Sequence, residues 1–162
     1  MKPILLPLLL PMLLPAVFAS VGSARGPLEG AARPLSQPLA FRPFSPRAGH
    51  LPAYELTTVL RSEREYEALV GRPAPASIDF AREWVVFYGA GLQTAAFAHA
   101  SISGVELTEG GHALRVHTVL LVTSPAFDPT PGRSIPFAVV RIARPQGEIH
   151  ALRAEHTYLM AP

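Results

Sequence analysis

The sequence predicts a mainly β fold, a small antiparallel open barrel or sandwich of five or six strands with one short α-helix. Three observations carry this. Apolar and polar residues alternate with a period of two over residues 54–61 and, most clearly, over residues 114–122, which is the pattern of strands with one covered face. The aromatic and β-branched run Trp84-Val85-Val86-Phe87-Tyr88 reads as a strand covered on both faces. Turn-forming Gly and Pro residues then punctuate the chain at strand-length intervals, at Gly110-Gly111, at Pro125, Pro129, Pro131 and Gly132, and at Pro145 and Gly147.

The chain has 162 residues, close to the usual size of one domain. Its first 19 residues read as a secretory signal peptide. Lys2 supplies the positive start, an apolar run follows, and Val17-Phe18-Ala19 places small residues at the −3 and −1 positions of a cleavage site, with a second such point after Ala24. A permanent membrane anchor is the alternative. A spanning helix needs about 20 apolar residues, however, and Pro7, Pro11 and Pro15 interrupt a run already shorter than that. The expected mature protein is exported, periplasmic or extracellular, with no permanent membrane anchor. It has no cysteine, so neither a disulfide framework nor a lipid-modified cysteine accompanies export.

Residues 20–52 hold six prolines among Gly, Ala, Ser and Arg without helical or strand periodicity, the composition of a flexible tether. Leu39, Phe41 and Phe44 interrupt its polarity, either packing on the domain or forming a short partner-binding motif. The tether also holds the basic charge, four arginines against Glu29 alone, whereas residues 53–162 carry nine arginines against eleven carboxylates. A reader of nucleic acid needs its cations on a folded face, so no nucleic acid is expected as a partner.

The folded domain is expected over residues 53–162. Strand one covers residues 54–60. Ser62 and Glu65 then form a capping box, predicting a helix over residues 63–70 that packs Tyr66, Leu69 and Val70 inward and stops at Gly71-Arg72-Pro73. Asp79 caps the turn before the Trp84 strand. A strand over residues 97–107, a Gly-rich hairpin turn at 109–111, the strand at 114–122, another at 137–142 and a final edge strand at 149–159 complete the meander. Trp84, Val86, Leu114, Val116, Leu120, Phe137 and Val139 are the expected central core.

No catalytic constellation is visible, and the chain is not expected to be an enzyme. There is no cysteine nucleophile, no G-x-S-x-G elbow, and Ser124 and Ser134 lie in a loop without an evident base. Gly89-Ala90-Gly91 is not followed by a helix start, so no phosphate loop is formed and no cofactor is expected. Six histidines invite a metal site, yet none are spaced H-x-H or H-x-x-x-H. Hairpin pairing places His99 opposite Leu121 and His117 opposite Ser103, about 13 Å apart at the standard strand rise, too far to share a metal ion. His150 or His156 would approach one of them only if the last strand pairs suitably.

The succession Ile78-Asp79-Phe80, Trp84 to Gly89, Thr94-Ala95-Ala96-Phe97, a Gly-containing hairpin and Ile135-Pro136-Phe137-Ala138-Val139-Val140-Arg141-Ile142 resembles the C-terminal domain of the protease complex subunit PrcB family over about residues 54–143. Ala95-Ala96 depart from that family's paired glycines, so this turn lacks their freedom of backbone angle, and His99 and Ser101 stand where the family is apolar. The resemblance implies a noncatalytic accessory or binding domain of the bacterial envelope, with a protein partner such as a secreted protease complex. The same turn resembles the loop of chagasin-type cysteine-protease inhibitors, which makes inhibition the alternative, although that family's Gly-rich second loop is absent here.

In an up-and-down meander the loops at residues 90–96 and 124–134 fall at one end, separated by the single tight turn at 109–111. Long connections in compact domains are commonly binding loops. Gln93 and Thr94 on the first, with Phe127, Asp128 and Arg133 on the second, are therefore the candidate partner-binding residues.

Overall fold

The computed structural model describes residues 36–124, 126 and 132–161, so the segment read as a signal peptide and residues 20–35 of the tether lie outside the described residues. Among the described residues the fold is mainly β and sandwich-like, not a closed barrel, with two four-stranded sheets and one α-helix. In chain order the elements are β1 (Ser36–Pro38), β2 (Phe41–Pro43), β3 (Glu55–Leu60), α1 (Glu63–Val70), β4 (Glu83–Ala90), β5 (Ala98–Thr108), β6 (Ala113–Thr123), β7 (Phe137–Ala143) and β8 (Ala151–Ala161). Sheet A runs β1-β5-β6-β8 and sheet B runs β2-β7-β4-β3.

The local predictions of helix and turn are met by local causes. Ser62 accepts the Glu65 amide at 3.2 Å, and Glu65 returns its carboxylate to the amide of Arg61 at 2.6 Å, one residue before the cap. The helix ends at Gly71 in the left-handed region, φ 71°, where its amide bonds the Glu67 carbonyl. Asp79 accepts the Ala81 amide at 2.9 Å and shapes the entry to β4. In the 109–111 turn, Glu109 as well as the two glycines takes positive φ.

Strand alternation divides the apolar residues between two layers. Trp84, Val86, Tyr88 and Ala90 of β4 face sheet A and meet Val140 and Ile142 of β7, Ala100, Ile102 and Val105 of β5, and Leu114, Val116 and Leu120 of β6. The intervening Val85 and Phe87 face the other way, with Val139, beneath Tyr66 and Val70 of α1, and Phe137 packs at the edge of that layer. Five of the seven expected core residues thus lie between the sheets. Phe137 and Val139 belong to the helix layer, because β7 turns its even-numbered residues inward.

Three expectations are corrected by non-local pairing. The tether reading of residues 20–52 fails from Ser36 onward: β1 pairs with β5 and β2 with β7, and Leu39, Phe41 and Phe44 pack on the two cores. Pro38 and Pro43 end strands that occupy sheet edges, where a missing amide is tolerated. The five or six antiparallel strands become eight, and β8 is parallel to β6. The cause is that β7 lies in sheet B, so the returning β8 finds its partner in β6 of the other sheet, which already runs its way. Finally, His117 faces Gly104 rather than Ser103, since a bulge interrupts the β5–β6 register between Ile102 and Gly104. That bulge moves the inward residues of β5 from even to odd numbers, keeping Ile102 and Val105 on one face.

Candidate functional site

The two long loops meet at one end of the sandwich. Each crosses between the sheets, residues 91–97 from β4 to β5 and residues 124–136 from β6 to β7. Gln93 and Ser134 pair as an antiparallel bridge, with Gln93 N to Ser134 O at 2.8 Å and Ser134 N to Gln93 O at 3.0 Å. Gly132 N donates to Thr94 O at 3.2 Å, and the Gln93 side-chain amide reaches back to Ala90 O at 2.7 Å. Contact is so close that a Cβ on Gly132 would fall 2.0 Å from the Ala95 carbonyl oxygen; only glycine fits there.

Of the candidate partner-binding residues, Gln93, Thr94 and Arg133 come together at this end, while Phe127 and Asp128 lie outside the described residues. The Gln93 side chain is half-buried and bonded to its own loop, so it holds the loop rather than facing outward. Thr94 and Arg133 are exposed, and so are Leu92 and Phe97, the latter 51% exposed with its ring stacked 6.5 Å from that of His99. Phe97 was not among the candidates. It starts a strand by sequence, and only the structure leaves its side chain uncovered.

A polar cluster closes the side of the sandwich where β3 and β8 are the terminal strands. Tyr158 donates to the two carboxylate oxygens of Glu55 at 2.9 and 2.8 Å, and Tyr88 donates to Glu55 Oε1 at 3.2 Å. His156 Nδ1 lies 3.4 Å from the same oxygen and 2.7 Å from Thr118 Oγ1, its ring 5.6 Å from that of Tyr88. Burial first, and then the Glu55 carboxylate, raise the Tyr88 phenol far above its ordinary value. Tyr158 is raised by its hydrogen bond to Glu55, with burial second. Both phenols therefore stay protonated donors, and the carboxylate is engaged by its own chain.

His117, His112 and His150 are also engaged internally. His117 lies between Glu106 at 3.6 Å and Glu155 at 3.2 Å, and Glu155 also meets Arg115 at 3.1 Å. His150 stacks on His112 at 5.8 Å. Among the described residues no group of three His, Asp or Glu could hold a metal ion. The serine hydroxyls of Ser62, Ser103 and Ser124 bond to backbone groups, not to a histidine ring. No described helix is long and apolar enough to cross a membrane. Comparison of the chain with protein-family models, with curated proteins and with solved structures finds no match.

Proposed function

We propose that this chain is an exported, noncatalytic binding domain of the bacterial envelope that docks a protein partner through its two-loop end, and that the partner is a secreted protease complex, as in the PrcB family it resembles. The observation that carries the reading is the Gln93–Ser134 bridge. Two loops that cross between sheets are joined into one surface before any partner arrives, which lowers the ordering cost of association. Exposed Leu92, Thr94, Phe97 and Arg133 give that surface apolar, polar and cationic groups side by side, the mixture that protein interfaces use.

The test is recovery of the native partner from the envelope with tagged mature chain, compared with a variant in which the exposed Thr94, Phe97 and Arg133 are all alanine. The expected result is a protease recovered with the parent chain and lost with a variant that still melts cooperatively. Unchanged recovery by the folded variant would overturn the docking surface. Assay of the recovered protease separates the alternatives, because an accessory domain leaves activity intact or raised whereas a chagasin-like inhibitor lowers it. Export is tested by intact mass of the chain from periplasm or medium, expected to begin at Ser20; an uncleaved, membrane-retained form would overturn it.

A further inference from the structure

Three adjacent strands of sheet B each place an arginine at the first position beyond the ladder, all at the end opposite the paired loops. Arg61 follows β3, Arg82 precedes β4 and Arg144 follows β7, and the strand order β7-β4-β3 sets them side by side. The Arg144 amide donates to the Arg82 carbonyl at 2.7 Å, tying two of these strand ends together. All three arginines line one cleft of about 740 Å³, with Trp84 in its wall and the turn from Pro145 to Ile149 opposite.

Cations outnumber carboxylates among the residues that line this cleft. Arg115, Arg141 and Arg153 each meet a carboxylate, that of Glu155, Glu83 and Glu109 respectively. The three cleft arginines face only Glu148 among the lining residues. Arg82 has a 3.6 Å contact with Asp79, both side chains being largely exposed. Arg61 lies 4.7 Å over the Trp84 ring and donates to the Ile149 carbonyl at 3.3 Å, contacts that fix its position without neutralising it. The Arg144 guanidinium has no ion pair or hydrogen bond among the described residues.

We propose that this cleft binds a compact polyanion, a small molecule carrying two or more phosphate or carboxylate groups. Guanidinium forks match the paired oxygens of both groups. A single exposed ion pair contributes little on its own, so useful affinity requires a ligand that engages several of these cations at once. The volume lies within the range of small-molecule sites, roughly 300–1,000 Å³, and the placement of Arg61 on the ring reduces what must be ordered on binding. This site is independent of the protein-docking end.

Trp84 is the only tryptophan of the chain, so its fluorescence reports on the cleft directly. The purified chain is titrated at low ionic strength with inorganic pyrophosphate and, separately, with citrate, and the binding is repeated by calorimetry. A saturable change with at least one probe is expected, weakening by about tenfold in Arg82→Ala and in Arg144→Ala, each of which removes a charge-assisted contact, and lost in the double variant. Preference for pyrophosphate assigns the phosphate class and preference for citrate the carboxylate class. Arg133→Ala, at the other end, should bind as the parent does. No saturable binding of either probe, undiminished binding in the double variant, or equal weakening by Arg133→Ala would overturn the proposal. Melting temperatures should stay at the parent value throughout, since neither Arg82 nor Arg144 packs in a core.

Discussion

β4 and β8 are strands of one small domain, yet they are held by opposite means. From Trp84 to Ala90 every residue of β4 is buried, since sheet A covers one face and α1 with its flanking loops covers the other. In β8 the nine residues between its two ends are exposed, Tyr158 at 60%, Leu159 at 48% and Met160 at 67%. Burial and dispersion hold the first. A parallel backbone ladder, the Glu55 cluster and the ion pairs of Arg153 and Glu155 hold the second. The difference separates what the protein needs in order to fold from what it can afford to expose.

The comparison is broken most sharply by truncation in β4. Trp84→Ala opens the inter-sheet core and Phe87→Ala the helix layer, and each should cost about 3–5 kcal/mol, read as a fall in the midpoint of urea unfolding. A near-parent midpoint for either variant would remove the layer it probes from the account. Next in size is Tyr88→Phe, which takes one donor from Glu55 while keeping the ring, at about 1.5–3 kcal/mol for a hydrogen bond to a charged group. This pair also sets a pH dependence. A phenol raised on folding contributes its stability in full below the ordinary tyrosine value, and the contribution is lost as pH rises above that value toward the folded one. Stability should therefore fall above about pH 10, less steeply in Tyr88→Phe. A parallel decline in the two proteins would show that the Tyr88 hydroxyl does not drive it.

Ser62→Ala removes the helix cap and should cost about 1 kcal/mol, a midpoint shift between those of β4 and β8. The smallest change belongs to the outer face of β8, where Leu159→Ala should stay within about 0.5 kcal/mol. A loss as large as that of Phe87→Ala would mean that Leu159 is covered in solution by another chain, and sedimentation would then show the association.

The elements legible in the sequence are those whose causes lie within a few residues. Ser62 and Glu65 define both ends of a capping interaction, and the helix begins and ends where they and Gly71 require. The β4 run shows its two-sided burial because no polar residue interrupts it. Pairing between distant segments leaves weaker traces. Ser36 to Pro43 looks like a spacer, because its prolines are compatible with strand edges as well as with disorder. The β5 bulge was visible only as a change of parity between Ile102 and Val105, which becomes informative once the partner register is known. At the candidate site, Gln93 and Arg133 are legible through loop order, because both connections lie at the same end in the two-sheet fold as in a simple meander. Exposed Phe97 and the convergence of Arg61, Arg82 and Arg144 were not reached, since one depends on side-chain cover and the other on the order of strands in sheet B.

The segment that joins β1 to β2 passes from one sheet to the other across Leu39 and Ala40, so the sandwich is laced on that side by the chain itself. β1 holds to β5 through Ser36, Gln37 and Pro38, and β2 holds to β7 through Phe41, Arg42 and Pro43. Tension applied upstream of Ser36 reaches this lacing before it reaches either core. Three paired residues on sheet A come under load first, followed by three on sheet B, and neither ladder of β4, to β3 and to β7, includes them. The N-terminal side of the domain is in mechanical terms a tear strip, whose release lengthens the chain by the span of residues 36–43 and uncovers the flank of the inter-sheet core on which Leu39 and Phe41 pack.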